Sequence, residues 1–319
     1  MGGGIAAIAL AKECLDRNLD FILIRDERSS ASQISSGIIN PITGRRYAIS
    51  WNFDQFLASA IAFYGEDIQK MPLKRYYKPY QPNSTIHDDL KGKERYCFSL
   101  DPNWVDITES YQVKVKSFIT NILSAIPENR QMISRFSFNE LKIDNAFYYN
   151  QFVFDKIIFA EGIAVLENPF FSHLPFLANR GEALVIKIPN FKLDNIVQKG
   201  KFICPYEDNF WVGSSFDKVD LNSETKTAKA KIEIQNAIPN LIENRTYKEM
   251  EHLGAFRATV PDRRPIIGEH PSISNIYVFN GFGTKGVSLV PFLSKNLIDH
   301  IFENKELMAE IDINRFKNL

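Results

Sequence analysis

The chain has 319 residues, about twice the length of one ordinary domain, so two domains or one large α/β unit is expected. Its 38 Lys+Arg match its 38 Asp+Glu, and the zero formal charge removes any global electrostatic case for a nucleic-acid or anionic-membrane partner. Three cysteines (Cys14, Cys97, Cys204), far apart and without a CxxC pair, argue against a disulfide framework or a zinc site and favour a reducing, cytoplasmic compartment.

In chain order, Gly2-Gly3-Gly4 leads into a helix-forming run from Ile5 to Leu15 that meets Arg17-Asn18. That apolar stretch is too short to cross a bilayer, and no basic segment precedes it. Phe21–Ile24 reads as a short apolar strand of the kind buried in a parallel sheet. A serine-rich loop (Ser29, Ser30, Ser32, Ser35, Ser36) then runs to Gly37 and ends near Asn40-Pro41. The spacing of Phe53, Phe56, Leu57, Ala60, Ile61 and Phe63 predicts an amphipathic helix from Trp51 to about Gly65. Residues 66–112 read as aromatic and irregular around Tyr76-Tyr77-Lys78-Pro79-Tyr80.

A second α/β stretch follows. It holds a helix over Ser117–Ile126, a hairpin over Phe138–Asn150 and a strand from Phe152 to Ala160 that closes on Glu161-Gly162. Two β-like runs (Glu182–Ile188 and Phe202–Ser214) precede a helix from Ser223 to Ala237, which Pro239 should stop. The tail carries a strand over Asn275–Phe279, a glycine-rich turn and a helix over Val287–Phe302.

Gly2-x-Gly4-x-x-Ala7 at a helix start fits the dinucleotide fingerprint, whose glycines let a pyrophosphate approach free N–H groups at the positive helix end. A flexible chain start would look the same. The acidic residue wanted about 20 residues later is Asp26, with Arg25 standing before it. Gly281, Gly283 and Gly286 prepare a second helix N-terminus able to face a negative group. None of the five histidines (His87, His173, His252, His270, His300) has a partner at metal-ligand spacing, so no metal is expected.

These segments together resemble the FAD-dependent oxidoreductases of the D-amino-acid oxidase type, the glycine oxidase and sarcosine oxidase superfamily. Gly2-Gly3-Gly4-Ile5-Ala6-Ala7 looks like the family's glycine motif, and Ser35-Ser36-Gly37 looks like its Ser/Gly loop along the FAD. Ala160-Glu161-Gly162 stands where the family has a turn beside the adenosine half. Asn179-Arg180-Gly181-Glu182 is similar to the Arg-Gly-Gln that opens its substrate sheet. The most specific match is Gly254-Ala-Phe-Arg257-Ala-Thr-Val-Pro261-Asp262-Arg-Arg-Pro265-Ile-Ile-Gly268, in which the family's arginine faces a substrate carboxylate.

The resemblance implies an α/β fold, with a Rossmann-like FAD-binding domain (1–50, 113–165, 255–319) and an inserted, mostly antiparallel β substrate domain (51–112, 166–254). It implies noncovalent FAD held by Gly2, Gly4, Ala7, Asp26, Ser35, Ser36, Gly37, Ala160, Gly162, Gly281, Gly283, Thr284, Lys285 and Gly286. Arg257 would bind substrate, a small amine or amino acid, while the flavin carries the chemistry. The bland readings are a solvated loop lysine for Lys285 and a structural arginine for Arg257. Arg45 and Arg46 read as solvated, and Tyr76, Tyr77 and Tyr80 as packing.

The strand that normally precedes the glycine motif is absent before Gly2, which implies either an upstream start or weakened FAD binding. Two alternatives follow: a flavoenzyme of tRNA-base aminomethyl modification, which the neutral charge disfavours, or a non-catalytic flavin-fold protein.

Overall fold

The computed structural model describes residues 1–27, 30–219 and 223–317, so Ser29 of the serine-rich loop lies outside the described residues. The described helices are α1 (Ile5–Asp16), α2 (Phe53–Tyr64), α3 (Ile86–Leu90), α4 (Val115–Ala125), α5 (Ala228–Leu241) and α6 (Gly286–Glu303). Alanine-rich α1 buries Ile5, Ala7, Ile8, Ala9, Leu10 and Ala11, and its small side chains let α6 pack against it. From α6 the apolar positions Val287, Leu289, Val290, Leu293, Leu297 and Ile298 face inward.

Short parallel pairs lie beside these helices. Leu23–Arg25 runs parallel to Gln131–Ile133, and Ile157–Phe159 runs parallel to Ile276–Asn280. The latter strand also pairs antiparallel with Ile266–Glu269. Met1 and Gly2 sit between the two parallel pairs. The Met1 ammonium donates to Ile158 O (2.7 Å), Ala160 N–H donates to Met1 O (2.9 Å), and Gly2 N–H donates to Ile24 O (2.9 Å). The glycine run therefore leaves the sheet at the carboxyl ends of both strands, where ligands bind in open α/β folds.

The second layer is a nine-stranded, mostly antiparallel sheet. Its longest pairing joins Leu177–Lys187 to Lys248–Thr259. The latter strand runs unbroken past residue 254, where the sequence suggested a change of domain. Residues 66–112 are not irregular: Leu73–Tyr76, Cys97–Asp101 and Trp104–Ile107 extend this sheet. Leu73–Tyr76 pairs in parallel with Ile196–Lys199, far along the chain. These strands have only four or five residues, too short for a periodic signal, and their partners are not local.

Helix α5 likewise passes through Pro239 and ends at Leu241. A proline inside a helix costs about 3 kcal/mol. Burying Ile234, Ile238 and Leu241 against the sheet returns roughly 1.5–3 kcal/mol each, so packing prevails.

Charge locks α1 to α6. Asp299 of α6, 6% exposed, takes Arg17 at 2.6 Å, Lys295 at 2.7 Å and Lys305 at 3.0 Å. Burial by itself would raise the Asp299 pKa, but the hydrogen bonds from Lys295, Arg17 and Lys305 together prevail and hold it well below the usual carboxylate range. A depressed folded pKa adds stability that is complete above the unfolded value, about 3.9, and is lost as pH falls below it. Asp299→Asn should therefore cost on the order of 2–3 kcal/mol at pH 7. In urea melts its deficit relative to the parent should close below about pH 4; a deficit independent of pH would remove the charge explanation.

Candidate functional site

Between the two layers lies one cavity of about 1000 Å³. The N-terminus of α1 opens into it through Gly2, Gly3 and Gly4, and that of α6 through Gly283, Thr284, Lys285 and Gly286. Neither helix has a side-chain cap at its N-cap residue, Gly4 or Lys285. Gly2 has φ +124°, and a Cβ there would collide with the Ala160 carbonyl, so the turn needs glycine on both counts. The Ile5 N–H of α1 is met by Ser32 Oγ at 2.9 Å.

The loop from Ser30 to Gly37 forms another wall and is held by side chains from neighbouring strands. Tyr206 Oη donates to Gln33 O (3.1 Å) and Trp211 Nε1 to Ile34 O (3.0 Å). Gln112 Nε2 donates to both Ser36 O (3.0 Å) and Pro205 O (2.7 Å), tying this loop directly to the large sheet.

The large sheet contributes Gly181, Glu182, Ser214 and Arg257. The Arg257 guanidinium lies so close over Gly181 that a Cβ there would collide with it. It donates to Asn179 Oδ1 (3.2 Å) and Ser214 Oγ (3.3 Å), both neutral acceptors. Burial pushes its pKa down to about 10, which leaves it cationic at neutral pH. Glu182, fully buried, is by contrast saturated by Thr227 N–H (2.7 Å), Thr227 Oγ1 (2.9 Å) and His252 Nε2 (2.9 Å).

Of the residues expected at a cofactor or substrate, the cavity brings together Gly2, Gly4, Asp26, Ser35, Ser36, Ala160, Gly162, Gly283, Thr284, Lys285, Gly286 and Arg257. Ala7, Gly37 and Gly281 do not line it. Ala7 is buried in the helix packing. A Cβ on Gly37 would meet the Val113 carbonyl, and one on Gly281 would lie 2.6 Å from Val260 Cγ2. These three give shape to the backbone behind the wall.

Sequence reasoning missed Ser32, one serine among five in its loop, and Arg264, hidden within the Asp262-Arg-Arg-Pro265 run. The cavity is also cationic in a neutral chain, with seven Lys or Arg in its lining against four Asp or Glu. Among the described residues no group of three or more His, Cys, Asp and Glu could hold a metal ion, and no helix is long and apolar enough to cross a membrane.

Short parallel strands that feed two open helix N-termini, facing an antiparallel sheet across one cavity, form a dinucleotide-binding architecture. Residues 142–300 match the family model described as FAD-dependent oxidoreductase. That match, just under half of the chain, identifies its FAD-dependent oxidoreductase domain.

Its fold is similar to that of glycine oxidase from Geobacillus kaustophilus (TM-score 0.77, 15% identity, 98% of this chain and 97% of that one covered). It is similar too to iminodiacetate oxidase from Chelativorans sp. BNC1 (TM-score 0.78, 15% identity, 99% and 97% covered). L-proline dehydrogenase from P. horikoshii gives a TM-score of 0.77 at 12% identity, with 99% and 96% covered. The residues present fit FAD: two helix N-termini without a side-chain cap from their own N-cap residues meet at one cavity, and Gly2, required by its positive φ and by the Ala160 carbonyl, shapes the turn into the first.

The clamp on the serine loop can be tested alone. Gln112→Ala leaves the half-buried Ser36 and Pro205 carbonyls without this donor, at a cost of about 1–3 kcal/mol. Amide hydrogen exchange over residues 33–37 should accelerate roughly tenfold or more. Unchanged protection would show that Tyr206 and Trp211 suffice.

Proposed function

We propose that the chain oxidises the amine-bearing carbon of a small amino acid or secondary amine by hydride transfer to noncovalently held FAD. Arg257 carries this reading: it is a half-buried guanidinium in the cavity wall, desolvated enough to lower its pKa, and no carboxylate of the described residues pairs with it. A buried charge left uncompensated is costly, so the site is built for a ligand that brings the counter-charge. Asn179 and Ser214 hold the planar fork in place, and a carboxylate can take it bidentately, as a lysine would not allow. That the similar folds include oxidases of glycine and iminodiacetate and a dehydrogenase of proline supports an amine carbon as the reacting centre.

When bound, FAD supplies the hydride acceptor. The chain would hold it with residues 1–50, 113–165 and 255–319, and would hold substrate with 51–112 and 166–254, to which the Lys248–Thr259 strand adds Arg257 from beyond that boundary. The α1 N-terminus, with Gly2 and Gly4 and with Ala7 packed behind, would receive the pyrophosphate. Asp26 would take the ribose hydroxyls, while Ser35, Ser36 and the Gly37 bend would run along the cofactor. Ala160 and Gly162 would border the adenosine half.

At the α6 N-terminus, Gly281 and Gly283 set the turn, and Thr284, Lys285 and Gly286 would stabilise the negative charge that develops on the flavin's pyrimidine edge. Phe202 and Trp211, which also line the cavity, would help exclude water from the reacting carbon. The imine product would hydrolyse after release.

The purified protein should be yellow, and a carboxylate amine substrate should bleach its flavin absorbance without oxygen. Arg257→Ala should retain FAD yet lose roughly 30-fold or more in kcat/KM for carboxylate substrates, as expected when about 2–5 kcal/mol of a desolvated charge pair is removed. Arg257→Lys should recover only part of this loss. If the alanine variant discriminates a carboxylate from its amide as the parent does, Arg257 is structural and the amino-acid reading falls.

A further inference from the structure

A second group of cations faces the same cavity. Arg263, Arg264 and Lys285 all line it. The Arg264 guanidinium lies 4.3 Å from the ring centroid of Trp51, and half-buried Lys285 reaches Ser50 Oγ at 3.4 Å. Burial first, and then the nearby Arg264 and Arg263, hold the Lys285 pKa below its ordinary value, so the three sense one another's charge. No Asp or Glu of the described residues pairs with any of them.

The adjacent acid is already committed. Asp262 Oδ2 accepts from Arg315 Nε (3.1 Å), and Asp262 Oδ1 accepts the main-chain N–H of Arg264 (3.0 Å). Like charges gathered without a counter-ion repel one another, and the partial burial of Arg264 and Lys285 strengthens the repulsion, while Arg263 stays exposed. The cation–π contact with Trp51 holds the Arg264 guanidinium at the cavity wall, where its N–H groups can receive a planar or tetrahedral acid group.

We propose that Arg264, supported by Arg263, binds a second acidic group of the substrate, so that the substrate is an amine carrying two acid groups, one held by Arg257 and the other by Arg264, while Lys285 stays with the flavin edge and adds only its positive field. This inference rests on the amine-oxidation reading above and narrows its substrate class. A carboxylate and a phosphate-like group share the recognition chemistry, and the probes separate them.

The experiment is isothermal titration calorimetry of the protein as purified with butyrate, succinate and 3-phosphonopropionate, in parent, Arg264→Ala, Arg264→Gln and Arg257→Ala. Succinate or 3-phosphonopropionate should bind about tenfold or more tightly than butyrate, and whichever is tighter names the second group. Both Arg264 variants should erase that preference while leaving butyrate within about twofold, because its single carboxylate is assigned to Arg257. Arg257→Ala should weaken all three ligands.

Equal affinity of the parent for butyrate and succinate overturns the proposal, as does a preference that survives in both Arg264 variants. Failure of every probe to bind overturns it too. Urea midpoints of the variants close to that of the parent exclude unfolding as the cause of a lost preference. Flavin absorbance and its bleaching by amines, recorded on the same samples, report on the amine-oxidation reading separately.

Discussion

The packing of α1 against α6 is the constraint on which the site depends. Ala7 and Ala11, one turn apart, keep one surface of α1 low, and Gly286 starts α6 where a Cβ would lie 3.4 Å from Ile5 Cγ2. At the other ends of the two helices, Arg17 and Asp299 meet at 2.6 Å. With both helices fixed at each end, their N-termini open into one cavity. Two partial positive charges are thereby brought to the same ligand space without any residue type being enriched.

The second layer is tied to that pair by covalent continuity and by hydrogen bonds. The Lys248–Thr259 strand carries Arg257 within the nine-stranded sheet, then turns through Pro261–Pro265 into Ile266–Glu269 of the parallel layer. The strand that bears the guanidinium is thus joined to the other layer by a short, proline-containing link. Gly283 N–H also donates to Ala258 O at 3.0 Å, one residue from Arg257. With Gln112 bridging the serine loop to Pro205, a shift of either layer would be felt at both walls of the cavity.

What the sequence made legible was local. Helix α1 and helix α6 announce themselves through apolar spacing and the glycines ahead of them, and the dinucleotide-like layer follows from their placement at both ends of the chain. Illegible features were those decided by distant partners. Leu73–Tyr76 is a strand because Ile196–Lys199 lies beside it, and α5 outlasts Pro239 because Ile238 and Leu241 have a sheet to pack on. Gly37 and Gly281 do not line the cavity, and what a Cβ would meet there is the Val113 carbonyl and Val260, since a motif shows that a glycine is required and not which neighbour requires it. Ser32 and Arg264 carried no local signal at all.

Charge shows the same limit most clearly. A balance of 38 against 38 is compatible with a cavity lined by seven cations and four anions, because net charge says nothing of position. Two arginines on adjacent paired strands show how the protein distributes its counter-charges. Arg180, 12% exposed in its side chain, has Glu182 Oε1 at 3.1 Å and Asp217 Oδ2 at 3.4 Å. Arg257, opposite Asn179 one residue away in that register, has only an amide oxygen and a hydroxyl. Both pay desolvation, yet only the first is neutralised from within. Glu182, which lines the same cavity, is already taken by Arg180, Thr227 and His252. An internal counter-ion for Arg257 would compete with any anionic ligand. Its omission, at a cost of several kcal/mol in an empty site, is therefore what a site complementary to a carboxylate requires.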